Sequence, residues 1–210
     1  MDVWAVIAQK GGSGKTTLST NLAIEALRTR LKTIIIDVDA QKSATHWGQR
    51  RLEKHAENQL PVWTMKPAQV AKQLLRAEGE NFDLVLIDTA GSLSTAQANL
   101  LTSVNFAIVP CQPSILDIET VSTTVDLLNS HGVSYAITLT RVPALGQDEA
   151  MARTELNKLG TVAKPFTGER KAYKGAFAAG EGVSEFRKDE KAAFESYALF
   201  KWLKRRANRT

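Results

Sequence analysis

Cysteine is almost absent from this sequence. The single cysteine, Cys111, excludes an intrachain disulfide, and its place in the apolar run 107–111 indicates a small core residue. Long apolar stretches are missing too: the runs at residues 33–38 and 82–87 are far shorter than the roughly 20 residues that cross a bilayer. Met1 is followed by an acidic residue and strand-like sequence. We therefore expect a soluble cytoplasmic protein without a signal peptide.

A large excess of charge of one sign is also missing. The chain has 27 Lys and Arg against 22 Asp and Glu, a formal net charge of +5. This sign favours polyanionic partners such as DNA, RNA or an acidic membrane surface. A modest excess is also typical of an ordinary solvated surface, so both interpretations stay open.

Short apolar runs alternate with helical patterns along the 210 residues, which suit one domain, 1–210, with an α/β fold. Continuously apolar strands between helices predict a mostly parallel, doubly wound sheet buried on both faces. We predict about seven strands, at residues 3–8, 33–38, 61–65, 82–87, 106–110, 135–139 and 161–166. Helices are predicted after the first glycine-rich turn and at residues 43–56, 68–77, 96–101, 116–129, 148–159 and 189–206.

A glycine-rich turn follows the first strand, with the sequence Lys10-Gly11-Gly12-Ser13-Gly14-Lys15-Thr16-Thr17. Glycines let consecutive backbone amides converge on phosphate oxygens, and the helix that follows adds its positive end. We predict a phosphate-binding loop of residues 11–17, in which Lys15 pairs with the β- and γ-phosphates and Thr16 ligates Mg²⁺. A turn without chemical meaning is the alternative, which the strand-to-helix position disfavours.

The lysine before the first glycine separates this loop from the ordinary motif. With Lys10 in first place, the form Lys-Gly-Gly-x-Gly-Lys-Thr-Thr resembles the ParA and MinD superfamily of deviant Walker A ATPases. The resemblance implies a P-loop fold with ATP and Mg²⁺ as cofactors. It also implies that Lys10 reaches the partner's phosphates in an ATP-dependent homodimer. An ordinary surface charge is the alternative for Lys10.

Acidic residues end two predicted strands, at the sheet edge where ligands of parallel sheets bind. The segment Asp37-Val38-Asp39-Ala40-Gln41 resembles the family's switch I, with alanine in place of a proline. The resemblance implies that Asp39 positions or activates the attacking water and that Asp37 supports the Mg²⁺ shell. The alternative is that both acids cap the next helix.

Asp88 ends the strand at 82–87 as a Walker B acid does, holding Mg²⁺ through water. The run from Asp88 to Ser94 resembles small ParF-type partition ATPases, and Gly91 would free a loop that senses the γ-phosphate. Relatives often contact adenine through an asparagine near Thr140, which is absent here. Arg141 and the loop of Pro165, Phe166 and Thr167 are the candidates that bound the purine.

The resemblance implies hydrolysis of ATP to ADP and phosphate by Lys10, Lys15 and Asp39, without a covalent nucleophile and slowly until a partner protein intervenes. In ParA-like systems the ATP dimer binds DNA non-specifically and a centromere- or cargo-binding partner triggers hydrolysis. We therefore expect a role in plasmid or chromosome partition at the nucleoid. Candidate DNA-binding residues are Arg170, Lys171, Lys174, Arg187, Lys188, Lys204, Arg205 and Arg206, with Lys201 and Arg209 in the same terminal group.

Two rival functions remain. The last helix combines Phe194, Tyr197 and Trp202 with basic residues, a composition that also suits anionic lipid, as in MinD. We favour packing of that helix on the core and expect no membrane partner. The other rival is an enzyme that phosphorylates or ligates a metabolite. Iron proteins and metal pumps of the superfamily need cysteine ligands that Cys111 alone does not supply.

Overall fold

Parallel strands carry the architecture of the chain. A computed structural model describes residues 1–57, 60–91, 95–186 and 188–209. In this part of the chain six strands form one sheet of order β3-β2-β4-β1-β5-β6, with every pairing parallel. The strands are β1 Asp2–Val6, β2 Thr33–Asp37, β3 Val62–Thr64, β4 Leu84–Asp88, β5 Phe106–Cys111 and β6 Ser134–Leu139. The predicted doubly wound α/β fold is confirmed.

The predicted seventh strand, at residues 161–166, does not form. Only isolated bridges, Ile137 to Val162 and Val142 to Gly168, join this part of the chain to the region of β6. Backbone bonds such as Thr167 N to Leu139 O, at 3.1 Å, tie the two segments at single points. The segment therefore touches β6 without forming the continuous ladder that defines a strand.

Helices cover both faces of the sheet. Among the described residues they are α1 Lys15–Arg28, α2 Ser43–Lys54, α3 Val70–Gly79, α4 Thr95–Leu100, α5 Ile115–Ser130, α6 Asp148–Leu156, α7 Lys171–Ala178, α8 Val183–Phe186 and α9 Glu190–Ala207. Short 3₁₀ turns lie at Pro67–Gln69 and Leu101–Ser103. The glycine-punctuated stretch after residue 168, which the sequence pattern left unassigned, thus contains α7 and α8. None of the helices in the described ranges combines the length and apolar character that crossing a membrane requires.

Alternate residues of each strand face opposite layers of the core. In β1, Val3 and Ala5 pack with the layer of α3 to α6, whereas Trp4 and Val6 pack with the layer of α1, α2 and α9. Cys111 is buried in the first layer, and burial raises the pKa of its thiol to about 12. The predicted role of Cys111 as a core residue is confirmed.

The last helix packs on this core. Leu199, Phe200 and Leu203 are buried in the layer that contains Trp4, whose ring centroid lies 6.1 Å from that of Phe200. Phe194, by contrast, is 71% exposed. Because Leu199, Phe200 and Leu203 are already covered by the core, the structure supports the packing interpretation over a helix that lies on lipid through these residues.

Strand register brings the predicted acids together. Asp88, the last residue of β4, pairs with Val6 of β1 on one side and with Asp37 of β2 on the other. The carboxyl ends of these three neighbouring strands therefore lie side by side. Registered residues of parallel strands share a face, which here is the face covered by α1. The glycine-rich loop between β1 and α1 leaves the sheet beside both carboxylates.

Candidate functional site

The glycine-rich loop has a backbone that only glycine adopts without strain at two positions. Gly12 and Gly14 have φ values of 78° and 98°, in the left-handed region. Gly14 is the N-cap of α1, and Lys15 is the first residue of that helix. The predicted strand, loop and helix therefore have the local geometry of an anion-binding loop.

Lys15 lies across this loop. Its side chain is buried, and Nζ donates hydrogen bonds to the carbonyl oxygens of Lys10, at 2.9 Å, and Ala8, at 3.2 Å. Burial lowers the pKa of Lys15, while the carboxylates of Asp88 and Asp39 act against that shift. The ammonium group is thus within electrostatic reach of both predicted acidic residues.

Lys10 makes an ion pair that the sequence did not reveal. Its Nζ lies 2.7 Å from Oδ2 of Asp117, near the start of α5. The Lys10 side chain is 39% exposed, whereas that of Asp117 is 6% exposed. Lys10 therefore lies at the surface of the loop and is paired with a buried carboxylate.

Asp88 has one carboxylate oxygen bound and the other unpartnered. Oδ1 accepts a hydrogen bond of 2.9 Å from Ser19 Oγ, whereas buried Oδ2 has no hydrogen-bond partner in the described residues. Burial, assisted by the nearby charge of Asp37, raises the pKa of Asp88 to about 7. A neighbouring cation would offset the cost of ionising this buried group.

These residues fit a bound Mg-nucleotide. The hydroxyl of Ser13, like Oδ2 of Asp88, is buried and has no partner in the described part of the chain. No group of three or more His, Cys, Asp or Glu side chains that suits a metal occurs among the described residues. Mg²⁺ at a phosphate site commonly takes one or two protein ligands beside phosphate and water, so Thr16 and Asp88 suffice as the protein's share.

Asp37 is occupied by the start of α2. Its Oδ2 accepts hydrogen bonds from the backbone N and Oγ1 of Thr45, at 2.8 and 2.7 Å. Its Oδ1 accepts one from the backbone N of Asp39, at 3.1 Å. The capping alternative thus describes the contacts of Asp37, and support of a Mg²⁺ shell stays a prediction. Asp39, half-buried, accepts a bond of 2.9 Å from the backbone N of Gln41.

Gly91 brings the segment after β4 against the phosphate loop. A Cβ at this position would lie 3.2 Å from the Gly11 nitrogen and 3.4 Å from the Gln9 carbonyl oxygen. A side chain here would press on the loop backbone, so this close approach favours glycine. The residues that continue the predicted γ-phosphate sensor, 92–94, lie outside the described residues.

A cavity of about 660 Å³ lies beside the phosphate loop. Gly14 and Thr17 line it together with Arg141 and Thr167, two of the predicted base-site residues. Pro165 and Phe166 are not part of its lining, and Phe166 packs partly against the core. Sequence reasoning missed the contribution of α7, whose residues Lys171, Tyr173, Lys174 and Phe177 form one side of the cavity.

The basic residues predicted for DNA do not form one surface. Lys171 and Lys174 line the cavity beside the phosphate loop, and Nη2 of Arg170 lies 2.6 Å from Oε1 of Glu195. Lys188 Nζ lies 4.7 Å from the ring centroid of Phe186. Arg187 lies outside the described residues. The charge of Arg170 is therefore already neutralised by an ion pair within the chain.

The terminal basic residues lie at the opposite end of the sheet. Arg206 donates a bond of 3.2 Å to Thr161 Oγ1 and lines a second cavity with Ser134, the first residue of β6. Lys204 is half-buried, whereas Lys201, Arg205 and Arg209 are exposed. The phosphate loop stands at the carboxyl ends of the strands, so this group is remote from it.

Comparison with known proteins agrees with this geometry. Residues 4–178 match the CobQ/CobB/MinD/ParA nucleotide binding domain family. The chain belongs to this family. The resemblance to the ParA and MinD superfamily is thereby confirmed.

Relatives of the chain serve several positioning systems. Maintenance of carboxysome distribution protein A from Halothiobacillus neapolitanus is 31% identical over 190 residues, covering 87% of this chain and 85% of that protein. The putative plasmid partition protein of Borrelia burgdorferi, bound to AMPPNP, is 17% identical with a TM-score of 0.79, covering 97% and 98% of the two chains. The septum site-determining protein MinD from Pyrococcus horikoshii, complexed with Mg-ADP, is 16% identical with a TM-score of 0.75, covering 95% and 94%. At the level of the family, these ligands agree with ATP and Mg²⁺ as predicted cofactors.

Proposed function

We propose that this protein is an ATPase switch in which ATP joins two copies and hydrolysis separates them. The observation that carries the proposal is Lys10, which stands partly exposed beside the phosphate loop while Lys15 lies across that loop. One lysine suffices for the phosphates of the chain's own nucleotide. A second, outward lysine is therefore available for the phosphates held by another copy.

The roles of the remaining residues follow from their positions. Thr16 and Asp88 hold Mg²⁺, which when bound neutralises charge on the β- and γ-phosphates. Lys15 and the loop amides hold the phosphates, and Asp39 orients the attacking water. Asp37 keeps Asp39 in place, because it accepts the backbone N–H of Asp39 while also capping α2. The products are ADP and phosphate.

The dimer serves to position DNA or another large cargo in the cytoplasm. Support comes from the 31% identical relative, which maintains carboxysome distribution, and from the fold shared with a putative plasmid partition protein. We propose that the ATP dimer binds DNA non-specifically at the nucleoid, and that a cargo-bound protein stimulates its slow hydrolysis. In this proposal the exposed basic end of α9 binds the phosphates of DNA. Support comes from Arg170, which is paired with Glu195, and from α7, which lines the cavity beside the phosphate loop.

Light scattering after size exclusion, in ADP and in ATP, tests the switch. The native chain should be a monomer in ADP and a dimer in ATP. Lys10→Ala should stay monomeric in both, and Asp39→Ala should remain a dimer in ATP because its nucleotide is not hydrolysed. Phosphate release, measured alongside, should appear without any phosphorylated metabolite. An oligomeric state indifferent to nucleotide and to Lys10 would refute the proposal.

A further inference from the structure

Two side chains from neighbouring strands hold carbonyl groups of the phosphate loop. Oγ1 of Thr140, just after β6, donates a hydrogen bond of 2.8 Å to the Ser13 carbonyl oxygen. Nε2 of Gln112, just after β5, donates one of 2.8 Å to the Gly12 carbonyl oxygen. Both contacts span long stretches of sequence, and neither belongs to the roles assigned above.

The two donors share a rigid base. The backbone N of Thr140 donates a hydrogen bond of 2.8 Å to the carbonyl oxygen of Cys111, the residue before Gln112. Thr140 is buried, with 2% exposure, and its side chain lies beside Gly14, where an added Cβ would be 3.6 Å from Oγ1. The ends of β5 and β6 therefore approach the loop as one unit.

Because the peptide group is planar, a hydrogen bond to a loop carbonyl also sets the direction of the N–H group in the same peptide. In a trans peptide the C=O of one residue and the N–H of the next point in opposite directions. With the Ser13 carbonyl turned toward Thr140, the Gly14 N–H points away from Thr140. By the same reasoning, the Gly12 carbonyl on Gln112 turns the Ser13 N–H away from Gln112.

We propose that Thr140 and Gln112 are positioning residues that fix the amides of Gly14 and Ser13 in the direction of the nucleotide phosphates. The proposal rests on the proposed function, because it assigns a role within the same nucleotide site. Without these donors, the peptide groups Gly12–Ser13 and Ser13–Gly14 could rotate more freely. Their N–H groups would then have to be ordered when phosphate binds. The Thr140 hydroxyl can donate one hydrogen bond, and the Ser13 carbonyl oxygen accepts it.

The chain offers a matched control two residues earlier, within β6. Thr138 is also buried, and its Oγ1 has no hydrogen-bond partner in the described residues. Thr138→Val and Thr140→Val therefore make the same chemical change two residues apart, one within β6 and one just after it. Only the second removes a bond to the phosphate loop.

Calorimetric titration of the full chain with Mg-ADP and with Mg-pyrophosphate tests the proposal. Thr140→Val should bind both ligands about tenfold more weakly than the native chain, as the loss of one well-placed hydrogen bond predicts. Thr140→Ser, which keeps the hydroxyl, and Thr138→Val should bind both as the native chain does. Gln112→Met, at a half-exposed position, should weaken both ligands without lowering the midpoint of thermal unfolding.

The outcomes separate the two claims. A native chain that binds neither ligand refutes the proposed function itself. If the native chain binds while Thr140→Val and Gln112→Met bind equally well, the positioning role is wrong. A loss for ADP but not for pyrophosphate overturns it too, because Thr140 would then act at the base rather than through the loop.

Discussion

At the scale of single residues, the ion pair between Lys10 and Asp117 is the contact that a dimer has to rearrange. Lys10 Nζ lies 2.7 Å from Oδ2 of Asp117 in its own subunit. The other carboxylate oxygen of Asp117, Oδ1, is buried without a hydrogen-bond partner in the described residues. For Lys10 to reach the phosphates of another copy, this pair has to open. Asp117 therefore opposes the proposed dimer to a small extent.

Replacing Asp117 by asparagine should strengthen the ATP dimer about two- to fivefold, the range expected for a partly exposed ion pair. Sedimentation equilibrium in ATP measures the dissociation constant directly. Glu119→Gln removes the same charge from an exposed position on α5 and should leave that constant unchanged. A weaker dimer in Asp117→Asn would mean that Asp117 aims Lys10 instead of restraining it.

Thr140 marks the limit of sequence reasoning about the site. Glycines, the two lysines and the strand-ending acids follow a local pattern, so their positions were predictable from spacing. Thr140 meets Ser13 across 127 residues, and Lys10 meets Asp117 across 107. Such contacts depend on strand order and register, which no local pattern contains, and this is why both were missed.

At the scale of secondary-structure elements, a buried arginine joins α2 to α8 and to the turn before it. Arg51 makes two hydrogen bonds to the carboxylate of Glu185, at 2.8 and 2.9 Å, and its side chain is 2% exposed. It also donates to the Gly180 carbonyl oxygen at 3.3 Å. Since Asp37 caps the same helix α2, this pair connects the end of β2 to α8 and to the turn that follows α7.

Truncating Arg51 to alanine should lower the free energy of unfolding by about 3–5 kcal/mol, because Glu185 would lose its partner inside the protein. Urea unfolding followed by circular dichroism measures this change. Arg76→Ala breaks the exposed pair with Glu80, whose side chains are 61% and 41% exposed, and should cost under about 1 kcal/mol. Equal effects of the two substitutions would show that the Arg51 pair is not structurally important.

Glu25 of α1 predicts a pH dependence of stability. Burial raises the pKa of this carboxyl, against the opposing hydrogen bond from Ser184. A raised pKa in the folded state gives stability that is complete below the ordinary glutamate pKa and is lost as pH rises through the raised value. Glu25→Gln should therefore unfold at a higher temperature at pH 8 and show a flatter profile between about pH 4 and 8. Glu78→Gln, at an exposed site, should follow the native profile; if Glu25→Gln did the same, the burial argument would fail.

Element prediction succeeded where apolar sequence decides the structure. All six strands lie at predicted runs, and β2, β4 and β5 are buried at every residue, because a parallel sheet covered on both faces needs largely apolar strands. The run at 161–166 is interrupted by Lys164 and by Pro165, which has no N–H to donate to a ladder, and it meets β6 at single bridges. Helix α7 was missed because Gly175 interrupts its pattern, and α8 was missed because its four residues are too few to show a helical period. Gly182 is needed there for close packing, since a Cβ would lie 2.9 Å from Ile24.

At the scale of the whole molecule, basic charge is divided between the two ends of the sheet. Lys171 and Lys174 line the cavity beside the phosphate loop, whereas the exposed Lys201, Arg205 and Arg209 lie toward the far end of α9. One basic group thus lines the cavity beside the phosphate loop, whereas the other is exposed at the end of α9. The net charge of +5 alone does not distinguish these uses.

The terminal group should carry the dependence of DNA binding on salt. In the ATP form, the triple substitution Lys201→Ala, Arg205→Ala and Arg209→Ala should weaken binding to DNA of any sequence. It should also reduce the slope of log K against log salt by about 0.9 for each phosphate that the variant no longer neutralises. Fluorescence anisotropy with a labelled random duplex at several salt concentrations gives both quantities.

The control for this experiment is a second triple variant that removes the same number of positive charges from another part of the surface. Lys66, Lys72 and Lys164 are exposed elsewhere on the surface, and replacing all three by alanine also removes three positive charges. If net charge alone drove the association, both triple variants would lose the same affinity and the same slope. A local surface predicts that only the α9 variant does so, while nucleotide-dependent dimerisation stays intact in both. Loss of dimerisation in the α9 variant would instead place this end of the helix at the interface between the two copies.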